Sequence, residues 1–274
     1  MRILAFTIDL DRDCNTAVRG ETAAASRSCG VTTDPCHDAS SQGMEVIADM
    51  LRSMAFPATI FAEGDSLRML ADPSVLKGLE IACHGMEHED LTGESTGMLL
   101  ENDQLEDIIS RSWDTVVSVT GDVPRGFRAP YLNIDPRVLA LVKERGFTYD
   151  SSMTEKVLDG VLMPKFLPQG MWEFPLARDT DSDGKVIDSY LWAMHEGRRP
   201  ESDYMRMIDR FQEGVLVMAT HSWHVMEGVR EGPKGSKQAA EEADAIARML
   251  GHARDSGFEL LPLAAVEDLL NEDR

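Results

Sequence analysis

Apolar and polar positions alternate in blocks along this chain. Short apolar runs at Ile3–Thr7, Ala58–Ala62, Glu80–Cys83, Gly126–Arg128, Thr148–Asp150, Trp172–Leu176, Val215–Thr220 and Glu259–Leu261 read as strands. Between them, Gly43–Met54, Thr96–Val119, Pro136–Arg145, Asp203–Gln212 and Ser236–Asp255 repeat their apolar residues every three or four positions and read as helices. Gly146 and Gly257 stand where a helix ends on a glycine. Two polar stretches, Arg12–Gln42 and Arg178–Asp188, break the rhythm and are predicted as long loops, the kind of segment that often carries function. Strands alternating with helices from end to end predict an α/β fold with mostly parallel strands and outer helices. No internal repeat or linker interrupts the pattern, so residues 1–274 are expected to form one domain.

Composition narrows the classes of function. The 274 residues are 43% hydrophobic and 27% charged, which excludes a disordered or collagen-like chain. A net charge of −21 argues against nucleic acid and against an anionic membrane surface as partners. No stretch approaches the ~20 apolar residues that span a bilayer, so no membrane span is expected. Asp9 interrupts the first apolar run before a secretion-signal core could form, and a cytoplasmic location is expected. Cys14, Cys29, Cys36 and Cys83 lack Cys-x-x-Cys spacing, which argues against a structural zinc site. Three of these cysteines share one loop, where a disulfide is geometrically allowed; a reducing compartment favours free thiols.

Reactive residue types gather at strand ends: Asp9, Asp11 and Asp13 after the first strand, then His84, Arg128, Asp150 and His221. Parallel strands bring such ends to one edge of the sheet. His84-Gly85-Met86-Glu87-His88 sets two imidazoles four residues apart, which on a helical turn face one cation; the same string also reads as a solvated turn. In Thr7-Ile8-Asp9-Leu10-Asp11 an extended chain points both carboxylates one way and Leu10 the other, as a metal ligand beside a base or as an acidic, solvated strand end. Gly126-Phe127-Arg128-Ala129-Pro130-Tyr131 offers an arginine fork to a carboxylate on a turn stiffened by Pro130, or a surface ion pair. The buried strand Val215–Thr220 runs into His221-Ser222-Trp223-His224, where His221 reads as a catalyst or a core histidine and Trp223 as a sugar platform or core.

In this order the four units resemble the polysaccharide deacetylase family, also called NodB-homology or carbohydrate esterase family 4, from Ile3 to about Trp223. The resemblance implies a distorted (β/α) barrel with fewer strands than the eight-stranded form. It implies a metal-dependent amidohydrolase, an N-deacetylase of N-acetylated amino sugars or polysaccharides, using zinc or else cobalt or nickel. An allantoinase-like branch that opens C–N bonds of small metabolites, and a non-catalytic binding homologue, are the alternatives. By the same resemblance Asp9 is the general base, Arg128 positions it, the backbone N–H of Tyr131 is the oxyanion donor and His221 is the general acid. His84 and His88 are metal ligands. Leu10 stands where the family carries a metal-binding aspartate, and Asp11 is the substitute, as in Asp-x-Asp branches. The family's Asp-Trp pair is absent; Tyr149-Asp150-Ser151-Ser152 stands near its place, making Asp150 the acid expected to orient His221. The oligomeric state stays open.

Overall fold

The computed structural model describes residues 1–26, 35–181 and 183–272. The strand Arg2–Leu10 is central to the sheet, with Thr59–Ala62 parallel on one side and Glu213–His221 parallel on the other. Beyond Thr59–Ala62 the parallel order continues through Glu80–Cys83, Gly126–Phe127, Tyr149–Asp150 and Trp172–Glu173. On the other flank Leu176–Thr180 lies parallel to Glu213–His221. Antiparallel partners, Lys165–Phe166 and Val186–Asp188, finish the two flanks. This mostly parallel sheet with outer helices is the (β/α)-barrel-like architecture expected from the sequence.

Both faces of the central strands are covered, which is why they read as continuous apolar runs. Side chains nevertheless alternate. Leu4, Phe6, Ile8 and Leu10 join the core beneath helices Asp38–Met54 and Ser236–Asp255, with Met44, Ile47, Leu51 and Ile246. Ile3 and Ala5 join a second cluster with Phe174, Val215 and Val217. With a period of two, Thr7 and Asp9 continue that second face, the concave one, and Leu10 cannot turn toward it.

Helices Pro136–Arg145 and Ser236–Asp255 have their expected bounds, and Glu201–Arg210 lies two residues early. Three differences have physical causes. The helix expected from Thr96 begins at Asn102, because the side chains of Glu101 and Gln104 close a capping box there. The strand expected over Trp172–Leu176 is split. Pro175 lacks an N–H for the ladder, and the chain changes neighbours from Tyr149 to Val217 as it passes. Arg178–Asp188, expected as a loop, belongs largely to an antiparallel hairpin whose polar residues mark exposure at the sheet's flank. In the other expected loop Cys36 is disulfide-bonded, correcting the expectation of free thiols; Cys29 lies outside the described residues. Cys83 keeps a thiol, and burial pushes its pKa up to about 12. A further helix, Leu263–Glu272, packs Leu263, Val266 and Leu270 under the second cluster. Among the described residues no helix is long and apolar enough to cross a membrane.

Candidate active site

Because the strands run parallel, their C-terminal ends share one edge, and most of the reactive residues at strand ends meet there. Asp9 sits opposite His221 in register, and the Ser222 amide donates to the Asp9 carbonyl at 2.9 Å. Two strands away the chain leaves Cys83 for His84, and the next strand delivers Arg128, whose amide donates to the Cys83 carbonyl at 2.9 Å. Asp9, His84, His88, Tyr131 and His221 line a cavity of about 440 Å³, joined by Tyr190 and Trp192.

Asp11, His84 and His88 offer ligand atoms that all lie within 4.8 Å of one another, and all three residues are buried. His88 Nε2 stands 3.3 Å from Asp11 Oδ2. The two imidazoles converge through an irregular turn, not the helical turn that the spacing suggested. Gly85 (φ 74°) and His88 (φ 54°) both take left-handed backbone, and a side chain on Gly85 would meet Glu89 Oε2 at 2.9 Å. Strain at His88 is the kind of backbone cost that concentrates at functional sites. His84 Nδ1–H donates to the Arg128 carbonyl at 2.8 Å, which leaves Nε2 bare and aimed inward.

Burial sets the electrostatics of this group. Burial pushes the Asp11 carboxyl well above the ordinary carboxylate range, and its neighbours Asp9 and Glu63 add to that rise. Burial also pushes His88 down to about 4 and lowers His84, against nearby carboxylates, so both imidazoles are neutral at pH 7. Asp11 Oδ1 is buried without a hydrogen-bond partner, while Oδ2 accepts from Asn15 at 2.6 Å. An orphaned carboxylate oxygen beside two neutral imidazoles fits a divalent metal with one oxygen and two nitrogen ligands from the protein.

Asp9 is held differently. Arg128 Nη1 donates to Oδ1 at 2.6 Å and the Tyr190 hydroxyl donates to Oδ2 at 2.7 Å. Burial alone would raise the Asp9 pKa, but Arg128, His84, His221 and Tyr190 outweigh it and hold it below the usual value. Arg128 itself is buried and fixed by Thr7 Oγ1, by the carbonyl and hydroxyl of Ser151, and by the Phe61 ring 4.0 Å from its guanidinium carbon. Leu10, facing the helices, contributes nothing here.

His221 Nε2 lies 3.9 Å from Asp11 Oδ2. Its ring is stacked on Trp223 at 4.9 Å and meets Trp192 edge-on at 5.2 Å. Trp223 is buried, so of its two readings the core one fits, and Trp192 is the tryptophan that faces the cavity. Tyr131 stands against His88, ring centres 4.6 Å apart, with its backbone and that of Leu132 both left-handed.

Asp150 is placed elsewhere. Its oxygens accept from the Ser152 amide and hydroxyl at 2.9 and 2.8 Å, and it pairs with Glu173 on the neighbouring strand. The Ser152 hydroxyl in turn accepts from the Ala129 amide at 2.8 Å, so Asp150 supports the turn after Arg128. The ring nitrogen of His221 that it was expected to orient faces His224 instead, Nδ1 to Nδ1 at 3.4 Å. Tyr190, Trp192 and Asn15 were not anticipated. They come from segments that carry no motif and reach the site through tertiary folding alone.

The family model described as polysaccharide deacetylase matches residues 24–149. That span includes His84, His88, Arg128 and Tyr131 and leaves out Asp9, Asp11 and His221. The chain is 40% identical over 77 residues to a peptidoglycan deacetylase-like protein, FGM2, of Gibberella zeae, covering 28% of this chain and 21% of that protein. It is 25% identical over 114 residues to the peptidoglycan deacetylase of Helicobacter pylori, covering 40% of this chain and 37% of that protein. The matched stretches thus span well under half of either relative. Among solved structures, a Mycobacterium smegmatis protein assigned as a polysaccharide deacetylase superposes with a TM-score of 0.65 at 20% identity, covering 99% of this chain and 90% of that one. The Puue allantoinase superposes with a TM-score of 0.64 at 15% identity, covering 96% and 88%. At these identities the superpositions establish the fold.

Proposed function

We propose that this chain, matched over residues 24–149 by the polysaccharide deacetylase family, is a metal-dependent hydrolase that removes the acetyl group from an N-acetylated amino sugar. The observation that carries the reading is the meeting of Asp9, Asp11, His84, His88, Arg128 and His221 at one cavity, from separate parts of the chain.

Asp11, His84 and His88 are the residues to hold a divalent cation, with zinc the ion their donor set suits. Such an ion supplies Lewis-acid polarisation of a carbonyl and lowers the pKa of water toward about 7. The protein's own groups do the rest. Asp9 takes the proton of the attacking water, and Arg128 and Tyr190 hold the carboxylate in place for it. The Tyr131 amide is the donor proposed for the oxyanion, a contribution worth about 3 kcal/mol in other enzymes. His221, beside Asp9 on the neighbouring strand, gives a proton to the departing nitrogen, so that the amine and not its anion leaves. The aromatic walls, Tyr131, Tyr190 and Trp192, offer apolar faces to a sugar ring.

The test is acetate release from N-acetylglucosamine oligomers and from peptidoglycan fragments by Zn²⁺-loaded protein. Release that vanishes in Asp11→Ala and His88→Ala supports the reading. Release unchanged in both variants, or turnover of allantoin in place of the acetylated sugars, overturns it.

A further inference from the structure

His221 is open to the cavity on one side and enclosed on the other. On the enclosed side its Nδ1 meets His224 Nδ1 at 3.4 Å. His224 is buried and clamped. Its ring lies 3.8 Å from that of Trp223, 4.5 Å from that of Trp192 and stacked on His195 at 5.1 Å, and its carbonyl accepts from Lys234 Nζ at 2.8 Å. Its far nitrogen, Nε2, faces Glu196 Oε1 at 3.4 Å, close enough for an ion pair though not aligned as a hydrogen bond. The same Glu196 oxygen accepts from the Val229 amide at 2.6 Å, which fixes the carboxylate. A second carboxylate nearby, Glu242, is committed to His195 Nδ1 at 2.7 Å and to Lys234. His195 Nε2 is spent on Thr220 Oγ1 at 2.9 Å.

We infer that Glu196 and His224 are positioning residues for His221, doing in two links what a single carboxylate does when it contacts a general acid directly. Donors and acceptors set the order of the links. A carboxylate facing His224 Nε2 keeps the ring proton on that nitrogen, because a bare nitrogen there would set one acceptor against another. His224 Nδ1 is then an acceptor and takes the Nδ1–H of His221. His221 is thereby held in one ring orientation, with Nε2 toward the cavity. The proton's route to the leaving group rests on the deacetylase reading. With Nδ1–H given to His224, Nε2 is the nitrogen that takes up a proton from solvent in the cavity; as the C–N bond breaks, its electron pair goes to nitrogen, which takes that Nε2 proton from the imidazolium. His221 is left neutral with its remaining proton on Nδ1, the form that His224 accepts from.

The experiment compares Glu196→Gln and His224→Phe with the unmodified protein, all Zn²⁺-loaded, on two substrates. One is an N-acetylglucosamine oligomer, whose amine needs a proton to leave. The other is 4-nitrophenyl acetate, whose phenolate leaves without one. Expected is a fall in kcat of roughly 10–100-fold on the amide, with KM and zinc content unchanged and the ester rate within about twofold. Equal losses on both substrates, or no loss on the amide, overturn the inference. A second measurement is independent of turnover: ¹⁵N-histidine NMR of the holoprotein reads which ring nitrogen of neutral His221 carries hydrogen. Nδ1–H in the unmodified protein, shifting toward Nε2–H in Glu196→Gln, supports the arrangement, and Nε2–H in both contradicts it. A protein that cleaves neither substrate but shows Nδ1–H would sink the deacetylase reading and leave the positioning intact.

Discussion

Removing the Arg128 side chain by Arg128→Met leaves Asp9 buried with no opposing charge, since Arg128 contacts Oδ1 at 2.6 Å and both side chains are almost fully enclosed. Breaking such a pair from one side costs about 3–5 kcal/mol, because the remaining ion keeps its desolvation penalty and loses its compensation. That is a large part of the roughly 5–15 kcal/mol by which folded domains typically exceed their unfolded chains. Asp9→Asn alone strands the guanidinium and should cost a similar amount. In the double variant neither charge is left, so the loss should be close to that of one single substitution, giving a coupling of about 3 kcal/mol or more. Urea unfolding of the four proteins with a chelator present measures this without any contribution from bound metal. Losses that add to within about 0.5 kcal/mol would show that the two side chains do not compensate one another, and the electrostatic account of the site would fail with them.

The same contacts set other expectations. Tyr190→Phe deletes the hydroxyl that donates to Asp9 Oδ2 and should lower stability by about 1.5–3 kcal/mol in urea unfolding, with metal binding retained. An unchanged midpoint would show that the hydroxyl carries no load. Burial, reinforced by Asp150, holds the Glu173 pKa well above the usual value, so over that interval the folded chain binds a proton that the unfolded chain has released. Stability from this group is therefore lost as pH rises above about 4.5 toward the raised pKa, and Glu173→Gln should gain on the unmodified protein at pH 8 relative to pH 5 in thermal melts. A gain in the opposite direction would refute the assignment. Gly43→Ala puts a methyl group 1.9 Å from the Ser222 carbonyl oxygen, so the helix or the His221–Ser222 backbone must move. The cost should be about 1–3 kcal/mol with a lowered kcat, and a variant equal to the unmodified protein in both would contradict the packing.

Much of this architecture can be read from local pattern. Strands buried on both faces, such as Arg2–Leu10 and Glu213–His221, announce themselves as apolar runs, and helix Pro136–Arg145 is bracketed by Asp135, Pro136 and Gly146. The polar ends of parallel strands fall on one edge, so the sequence alone groups Asp9, His84, Arg128 and His221. Features set by distant parts of the chain were less legible. Asp150 follows a strand end like the others, yet its side chain turns to Ser152 and Glu173, because strand order puts Trp172–Glu173 beside it and Glu213–His221 far across the sheet. Tyr190 and Glu196 lie in a segment without periodicity and reach Asp9 and His224 only through the fold. His224 is three residues from His221, but the spacing does not say that their rings meet.

The central claim is that Asp11, His84 and His88 grip one divalent cation beside Asp9. Titrating chelated, metal-free protein with Co²⁺ while following its visible absorption tests that claim most directly, because band intensity reports coordination number and thiolate bands would reveal sulfur ligands. Saturation at one equivalent with no thiolate band, lost in His88→Ala and in Asp11→Ala, is the predicted result. No binding above the free-ion spectrum, or a spectrum indifferent to both substitutions, would contradict it.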